Sequence, residues 1–543
     1  MGRGVVECAG TKMSRLVPAG LIALFVTLTV VSCSRAAQAP PETTRAAVDV
    51  VELSAAQAGR LMAGGTLTSH ALTEAYLQRI AALDHAGPAV NAVIELNPNA
   101  LAEADARDRE RQAGSVRGPL HGLPLLLKDN IDVAGLVNSA GSLALSANKP
   151  ARDAFLVDRL RRAGVVILGK TNLSEWANFR STRSTSGWSS RGGQTKNPYA
   201  LDRNPCGSSS GTAAAIASSF AAVGIGTETD GSIICPSAMT GLVGLKPTVG
   251  LVSRSGIIPI SASQDTAGPM GRSVADVALV LDALAAVDAA DPAGAAATGH
   301  IDADYAAGLS PDALKGKRFG LLRKAMGYHP DVDAATERAV AAIKAAGGEV
   351  VDVTIKTYGQ WDDPELDVLL YEFKDGLNRY LAQSSAPVHS LEELIAWNTT
   401  NAARVMPFFG QELFVRAQAK GALTDPAYVK ARDTARRLAL TDGLLPTLAA
   451  SRLDALVAPS TSPSWPTDHL LGDHFVGGGY GIAAVAGTPS ITLPIGESRG
   501  LPLGLTFMGR PYSEKDLLGF AYALEQRLHA RAAPAFQSSV KEP

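Results

Sequence analysis

The sequence predicts an α/β fold, with one large domain in which helices sandwich a mixed β-sheet. Segments with helical spacing of apolar residues alternate with short apolar runs along most of the chain, which is typical of a sheet packed between helices. No clear linker divides this part, so we expect one domain at residues 48–535. The 543 residues, of which 46% are hydrophobic, are enough for a core of that size.

Each expected element follows from a local pattern. Ser69 is a candidate N-cap for a helix whose Leu72, Tyr76 and Ile80 share one face. Further helices are expected at residues 100–111, 212–220 and 517–529, and buried strands at residues 123–127, 165–169, 455–459 and 490–494. Residues 300–450 are helix-rich and less patterned, which suggests an insertion that covers the site.

The N-terminal region has the pattern of an export signal. Arg15 precedes an apolar run at residues 21–31, which is too short to span a bilayer and has the length of a signal-peptide core. The run ends in Val-Val-Ser-Cys, which resembles a bacterial lipobox in which Cys33 is lipidated. We expect a lipoprotein-type signal at residues 1–33, a flexible tether at residues 34–47 and a cell-envelope location. The alternatives are ordinary cleavage, giving a periplasmic or secreted protein, and an uncleaved anchor.

Composition and charge exclude several classes of partner. The net charge of −2 gives no reason to expect nucleic acid, or any membrane contact beyond the lipid anchor. Cys206 and Cys235 could pair in an oxidising compartment, but we expect two small buried thiols. The two Asp-His pairs at residues 468–469 and 473–474 lie on a Gly-rich loop without metal-ligand spacing, which favours a solvated loop. We expect no metal and no cofactor.

Two Gly/Ser clusters, at residues 207–211 and 226–232, carry the strongest chemical signal. Gly-rich turns can point several backbone N–H groups at one spot, and serines in such turns suggest a nucleophile beside an oxyanion hole. A G-x-S-x-G elbow with Ser209 as nucleophile would have to follow a strand, but Pro198 and Pro205 break any strand there. In the non-catalytic alternative, the Gly-rich turns serve only tight packing or anion binding.

Longer motifs around these clusters resemble the amidase signature of serine amidases. They include C-G-S-S-S-G-T-A-A-A-I-A, G-T-E-T-D-G-S-I-I-C-P-S-A, L-P-L-L-L-K-D-N-I-D and G-T-P-S-I-T-L-P-I-G. The resemblance covers most of residues 50–530 and implies the amidase signature fold. Within the family, T-E-T-D-G-S-I and S-G-W-S-S-R-G-G-Q-T-K-N-P are most similar to the peptide-amidase branch.

The resemblance implies a catalytic triad with Ser232 as nucleophile, Ser208 as proton relay and Lys128 as base. It also implies a cis peptide between Gly207 and Ser208. A lysine acts as a base only when it is neutral, and the apolar run before Lys128 would disfavour its ammonium form. Strand alternation should turn the neighbouring Asp129 away from that amine.

The backbone N–H groups of Thr229, Asp230, Gly231 and Ser232 correspond to the oxyanion hole of the family. Asp230 replaces the glycine that is common there, and its carboxylate would disfavour an acidic substrate. Ser209 is a plausible hydrogen-bond partner for the base.

The resemblance implies hydrolysis of a carboxamide to acid and ammonia through an acyl-enzyme, with the C-terminal amide of peptides as the expected substrate. Amidases for small aliphatic, aryl or fatty amides share the triad, and an inactive peptide-binding lipoprotein is a further alternative. An exported protein would not meet cytoplasmic tRNA, which disfavours a role as the glutaminase component of a tRNA amidotransferase. Residues 369–373 are a candidate lining for a side-chain pocket, although aromatic residues in helices are more often core.

Overall fold

The computed structural model describes residues 48–302 and 304–541. The predicted signal peptide, the lipidated Cys33 and the tether lie outside these residues. No helix within the described ranges is long and apolar enough to cross a membrane.

The described residues form thirteen strands. These are β1 Val93–Leu96, β2 Pro124–Lys128, β3 Val166–Thr171, β4 Trp188–Ser189, β5 Gly193–Gln194, β6 Val223–Glu228, β7 Val243–Lys246, β8 Thr266–Gly271, β9 Arg318–Leu322, β10 Glu349–Val353, β11 Ala455–Pro459, β12 Ser490–Ser498 and β13 Leu501–Met508. Eleven of them build one mixed sheet in the order β1-β3-β2-β6-β8-β7-β12-β13-β11-β9-β10, and β4 and β5 form a separate hairpin.

Sixteen α-helices accompany the strands in the described part of the chain. These are α1 Ala55–Ala63, α2 Ser69–Leu83, α3 Ala100–Gln112, α4 Phe155–Arg162, α5 Ser210–Ala217, α6 Ile234–Met239, α7 Val274–Leu284, α8 Pro330–Ala345, α9 Asp362–Leu381, α10 Leu391–Thr400, α11 Ala402–Val405, α12 Glu412–Gln418, α13 Pro426–Arg436, α14 Leu445–Ala450, α15 Gly481–Ala486 and α16 Glu514–Leu528. A π-helical segment at Arg437–Leu444 joins α13 to α14. The predicted α/β fold, a mixed sheet flanked by helices, is confirmed.

The central strands have the apolar composition expected of strands that are covered on both faces. β2 runs parallel to both β3 and β6, and every residue of these three strands is buried. A strand covered on both faces reads as a continuous apolar run, which is why the sequence pattern identified β2 and β3. The expected strands β11 and β12 and the helices α3, α5 and α16 are also present, with ends shifted by a few residues or less.

Two expectations about local structure are wrong, and a third point is settled in favour of the core. The N-cap of α2 is Thr68, whose side chain accepts the backbone N–H of Ala71, whereas Ser69 donates to the carbonyl of Gly122 at 2.7 Å. Residues 300–450 are not simply an insertion, because β9 and β10 within them extend the main sheet. Leu370 and Phe373 of α9 are buried in a core cluster beside Phe414, so the core role that the sequence analysis weighed for residues 369–373 is the one observed.

Candidate active site

The candidate site lies where two parallel strands end side by side. β2 ends at Lys128 and β6 ends at Glu228, with Leu127 paired with Ile225 across the two strands. Carboxyl ends of neighbouring parallel strands meet at one edge of a sheet, where α/β folds place their ligands. Helix α5 runs antiparallel to β6, which follows it, so the first turn of α5 lies at the same edge as the end of β6. The two Gly/Ser clusters therefore converge on the end of β2.

Lys128 is fully buried and has only neutral hydrogen-bond partners. Its Nζ donates to Ser208 Oγ at 2.8 Å, to Thr227 Oγ1 at 2.9 Å and to the carbonyl of Thr227 at 3.1 Å. Burial lowers the pKa of the Lys128 amine to about 7, and the charges of Glu228 and Asp265 oppose this shift. An amine with a pKa in that range can hold or release a proton near neutral pH.

Ser208 lies in a tightly packed loop before α5. The Gly207–Ser208 peptide bond is cis, as predicted. A Cβ on Gly207 would collide with Ser174 Oγ and would lie 3.0 Å from Ser186 Oγ, so only glycine fits there. The carbonyl of Ser208 accepts the N–H of Ser174 at 3.1 Å. These contacts hold the Ser208 hydroxyl against the amine of Lys128.

Ser209 does not contact Lys128, so the expected hydrogen bond between them is wrong. Its hydroxyl donates to the carbonyl of Thr227 at 3.1 Å and accepts the N–H of the same residue at 3.2 Å. Its backbone N–H donates to the carbonyl of Ser232 at 3.1 Å. Ser209 thus ties the two Gly/Ser clusters together.

Ser232 stands between the end of β6 and the start of α6. The buried carboxylate of Glu228 accepts the N–H groups of Ile233 at 2.7 Å and of Ile234 at 3.0 Å, which holds the backbone just after the serine. Ser232 is 8% exposed, and its hydroxyl has no hydrogen-bond partner in the described part of the chain. A serine hydroxyl that is accessible and uncommitted is suited to attack a bound ligand.

The turn before Ser232 has the features expected of an anion-binding backbone. Gly231 has φ of 75°, and a Cβ there would lie 2.5 Å from Tyr480 Cζ. Thr229 Oγ1 donates to Asp265 Oδ1 at 2.6 Å, and the carbonyl of Thr229 accepts from Gln264 Nε2 at 3.4 Å. These anchors fix the direction of the backbone N–H groups in the turn.

Asp230 lies in this turn with its side chain exposed. Its carboxylate has no hydrogen-bond partner among the described residues. Desolvation by the surrounding protein, followed by the charges of Glu365 and Glu228, raises the pKa of Asp230 well above its ordinary value. The surroundings of Asp230 therefore disfavour any further negative charge.

Cys206 and Cys235 form a disulfide with their Cα atoms 6.0 Å apart, so the expectation of two free thiols is wrong. Each cysteine lies within three residues of one of the two candidate serines. A Cα separation of this size is within disulfide range, but the sequence alone could not show that the two turns approach so closely.

The structure brings the three predicted catalytic residues to one edge of the sheet in different ways. Lys128 and Ser208 are joined by a direct hydrogen bond, and Ser232 is adjacent through its backbone contact with Ser209. Sequence reasoning missed Thr227, which lies inside the G-T-E-T-D-G-S motif, and Tyr480, which follows three glycines and carries no pattern of its own.

Comparisons with known proteins identify the family of this chain. The family model described as Amidase matches residues 71–518. A probable amidase of Arabidopsis thaliana is 40% identical over 485 residues, which cover 87% of this chain and 89% of that protein. A glutamyl-tRNA(Gln) amidotransferase chain of Symbiobacterium thermophilum is 33% identical over 497 residues, covering 89% of this chain and 98% of that one.

Solved structures give the same result at higher identity. The native peptide amidase of Stenotrophomonas maltophilia is 56% identical with a TM-score of 0.86, covering 89% of this chain and 98% of that one. The peptide amidase PAM in complex with the competitive inhibitor chymostatin is similar with the same identity and coverage and a TM-score of 0.87. This chain therefore belongs to the amidase signature family and is a hydrolase that acts on amides.

Proposed function

We propose that the protein hydrolyses the C-terminal carboxamide of peptides to the free acid and ammonia, with Lys128, Ser208 and Ser232 as its catalytic triad. The observation that carries this proposal is the buried amine of Lys128. It donates to no carboxylate in the described residues and is hydrogen-bonded at 2.8 Å to Ser208 Oγ. The similarity to peptide amidases over nearly their whole length supports the choice of substrate.

The first half of the reaction is acylation of Ser232. Neutral Lys128 accepts the proton of Ser208, Ser208 accepts the proton of Ser232, and Ser232 Oγ attacks the amide carbon. The backbone N–H groups of residues 229–232 hold the resulting oxyanion, and one such donor is typically worth about 3 kcal/mol. The proton then returns through Ser208 to the amide nitrogen, the C–N bond breaks and ammonia leaves.

The second half of the reaction releases the acid. Water gives a proton through Ser208 to Lys128 and attacks the ester formed at Ser232. When the tetrahedral intermediate collapses, the proton returns to Ser232 Oγ and the peptide acid departs. The uncompensated carboxylate of Asp230 beside this turn leads us to expect slow turnover of amides with an acidic residue next to the carboxamide.

The test is to incubate the purified protein with an amidated dipeptide and to measure ammonia and free acid. Ser232→Ala is expected to abolish release, whereas Ser237→Ala is a matched control, because Ser237 is a buried serine of α6 whose Oγ has no hydrogen-bond partner in the described residues. Activity that survives in Ser232→Ala would overturn the nucleophile assignment. Release from small amides only would move the substrate to the alternative class, and binding without release would favour the binding-only alternative.

We also propose that the protein acts outside the cytoplasm, tethered by lipidated Cys33. The lipobox-like sequence before Cys33 supports this, and so does the disulfide between Cys206 and Cys235, since disulfides persist mainly in oxidising compartments. Cys33→Ala is expected to move the protein from the membrane fraction to the soluble fraction, with Cys8→Ala as the control. An unmodified Cys33 in the mature protein by mass spectrometry would contradict the proposal.

A further inference from the structure

A row of aromatic side chains leads away from the nucleophile turn. The ring of Tyr480 lies directly on Gly231, because a Cβ there would be 2.8 Å from Tyr480 Oη. The Phe475 ring lies 6.2 Å from the Tyr480 ring and 6.4 Å from the Trp465 ring. We call Trp465, Phe475 and Tyr480 the aromatic wall. Since Gly231 directly precedes Ser232, one end of the wall is at the reacting serine.

The outer part of this segment exposes apolar side chains to an unusual degree. Phe475 is 48% exposed, Val476 58%, Leu470 86% and Leu471 69%. These four are among only eleven exposed large hydrophobic residues in the described part of the chain, yet they fall within seven positions. Single exposed apolar residues are ordinary on a protein surface, whereas a cluster of them marks a binding surface.

The segment is firmly held, so its exposed side chains have a defined place. The carboxylate of Asp473 accepts the N–H of Ser186 at 2.9 Å and the indole N–H of Trp465 at 3.3 Å. Asp468 Oδ1 accepts the N–H groups of Leu470 at 2.8 Å and Leu471 at 2.9 Å. The Asp-His pairs that the sequence suggested as a solvated loop thus supply the anchors of this segment.

We propose that Phe475 and Tyr480 of the aromatic wall, together with Val476, bind the apolar side chain of the substrate residue that bears the carboxamide, while the buried Trp465 supports them from behind. This rests on the proposed function, since it assigns a side-chain subsite to the same reaction. The occupant follows from continuity, because the wall begins at Gly231, the residue before the reacting serine, and continues through Tyr480 to Phe475. Aromatic rings give a large contact area to an aliphatic or aromatic side chain at little entropic cost. The substrate class is therefore peptide amides that end in an apolar residue.

The test compares glycyl-leucinamide with glycyl-glycinamide in the parent protein and in Phe475→Ser. We expect the parent to prefer the leucinamide, and Phe475→Ser to lower the ratio of the two kcat/KM values about tenfold, mainly through KM. Phe475→Leu should restore most of the ratio, which a merely structural role would not explain. Val116→Ser is the matched control, because Val116 is 47% exposed and lies in a different loop.

The possible results separate this subsite from other uses of the surface and from the proposed function. Equal kcat/KM values for the two amides in the parent, or an unaltered ratio in Phe475→Ser, would overturn the subsite. A variant that keeps the ratio but loses binding to phosphatidylcholine vesicles, or loses self-association in sedimentation, would assign the surface to a membrane or to a second copy instead. A parent that cleaves small amides but neither dipeptide amide would instead reject the proposed substrate, and the subsite with it.

Discussion

Two buried lysines on neighbouring strands differ in the partners that surround their amines. Lys128 ends β2 and Lys170 lies near the end of the adjacent β3, paired across the strands with Leu127. Because successive residues of a strand point to opposite faces, the two amines lie on opposite faces of the sheet. Both side chains are fully buried, and burial lowers the pKa of each amine.

The face of Lys170 supplies carboxylates. Its Nζ lies 3.3 Å from Asp129 Oδ1 and donates to the carbonyl of Ile131 at 2.6 Å and to Asn138 Oδ1 at 3.2 Å. Asp129 is also paired with Arg191 at 3.1 Å. The predicted turning of Asp129 away from Lys128 is confirmed by these contacts. The charge of Asp129 opposes the effect of burial on the pKa of Lys170, and the contacts of this amine serve the fold.

The face of Lys128 supplies hydroxyl and carbonyl oxygens and no ion pair within the described residues. A buried lysine is therefore suited to act as a base when its hydrogen-bond partners are neutral, and desolvation alone is not enough. Lys128 and Asp129 are consecutive residues, so the alternation of side chains between the two faces of the sheet is enough to separate the two settings.

The largest expected effect concerns catalysis. Lys128→Met should lower kcat for an amidated dipeptide by about 10⁴-fold, because general acid–base groups contribute up to that amount. Lys170→Met should retain the kcat of the parent per folded molecule, since Lys170 faces the other side of the sheet. Steady-state ammonia release, normalised to the folded fraction, measures both. A comparable loss of kcat in the two variants would remove the distinction.

The second effect concerns stability. Lys170→Met leaves Asp129 buried without one of its cationic partners, so the free energy of unfolding should fall by about 3–5 kcal/mol. Urea unfolding followed by circular dichroism measures this. Lys317→Met is the control, because its ion pair with Asp454 at 3.2 Å is half-exposed and should be worth about 1 kcal/mol or less. Equal losses in both variants would mean that the buried pair contributes no more than a surface pair.

The third effect tests the neutral partners of Lys128. Thr227→Val removes the Oγ1 that accepts from Lys128 and, at 2.9 Å, from Asn130 Nδ2. The unsatisfied donors should cost about 1–3 kcal/mol of unfolding free energy. Thr336→Val is the matched control, a buried threonine whose hydroxyl only donates within α8 and should cost about 1 kcal/mol. Similar losses in the two variants would show that Thr227 is not a specific partner of the amine.

Much of this contrast could be predicted from the sequence. The resemblance to the amidase signature indicated Lys128 in the K-D-N motif and Ser208 and Ser232 in the two Gly/Ser clusters, and alternation alone placed Asp129 on the other face. Each of these inferences needs only local spacing or a long motif. The central strands could be predicted equally well from the sequence, because strands covered on both faces are continuous apolar runs.

What the sequence could not show depends on contacts between distant segments. Lys170 has no local sign of burial, since its carboxylate partner lies 41 positions earlier in the chain. The disulfide partners Cys206 and Cys235 are 29 residues apart and approach only because α5 and β6 fold back on each other. Tyr480 reaches Gly231 across an even longer separation, so nothing in its own neighbourhood indicated a place in the site.

The smallest expected effect is on the pH dependence of kcat. Lys128 must be neutral to accept a proton, and with a pKa of about 7 its neutral fraction, and hence kcat, should fall about tenfold per unit as pH drops below that value. The nearby carboxylate of Asp265 raises this pKa, so Asp265→Asn should move the midpoint of the kcat profile to lower pH.

Asp129→Asn is the control for that profile, because it removes a carboxylate from the next residue in the chain but on the opposite face of the sheet. Its midpoint should stay where the parent has it, since Asp129 pairs with Lys170 and Arg191 rather than with Lys128. If proximity in sequence set the pKa of Lys128, Asp129→Asn would give the larger shift of the midpoint. A shift in Asp265→Asn alone would show that the face of the sheet, and not proximity in sequence, sets the protonation of the base.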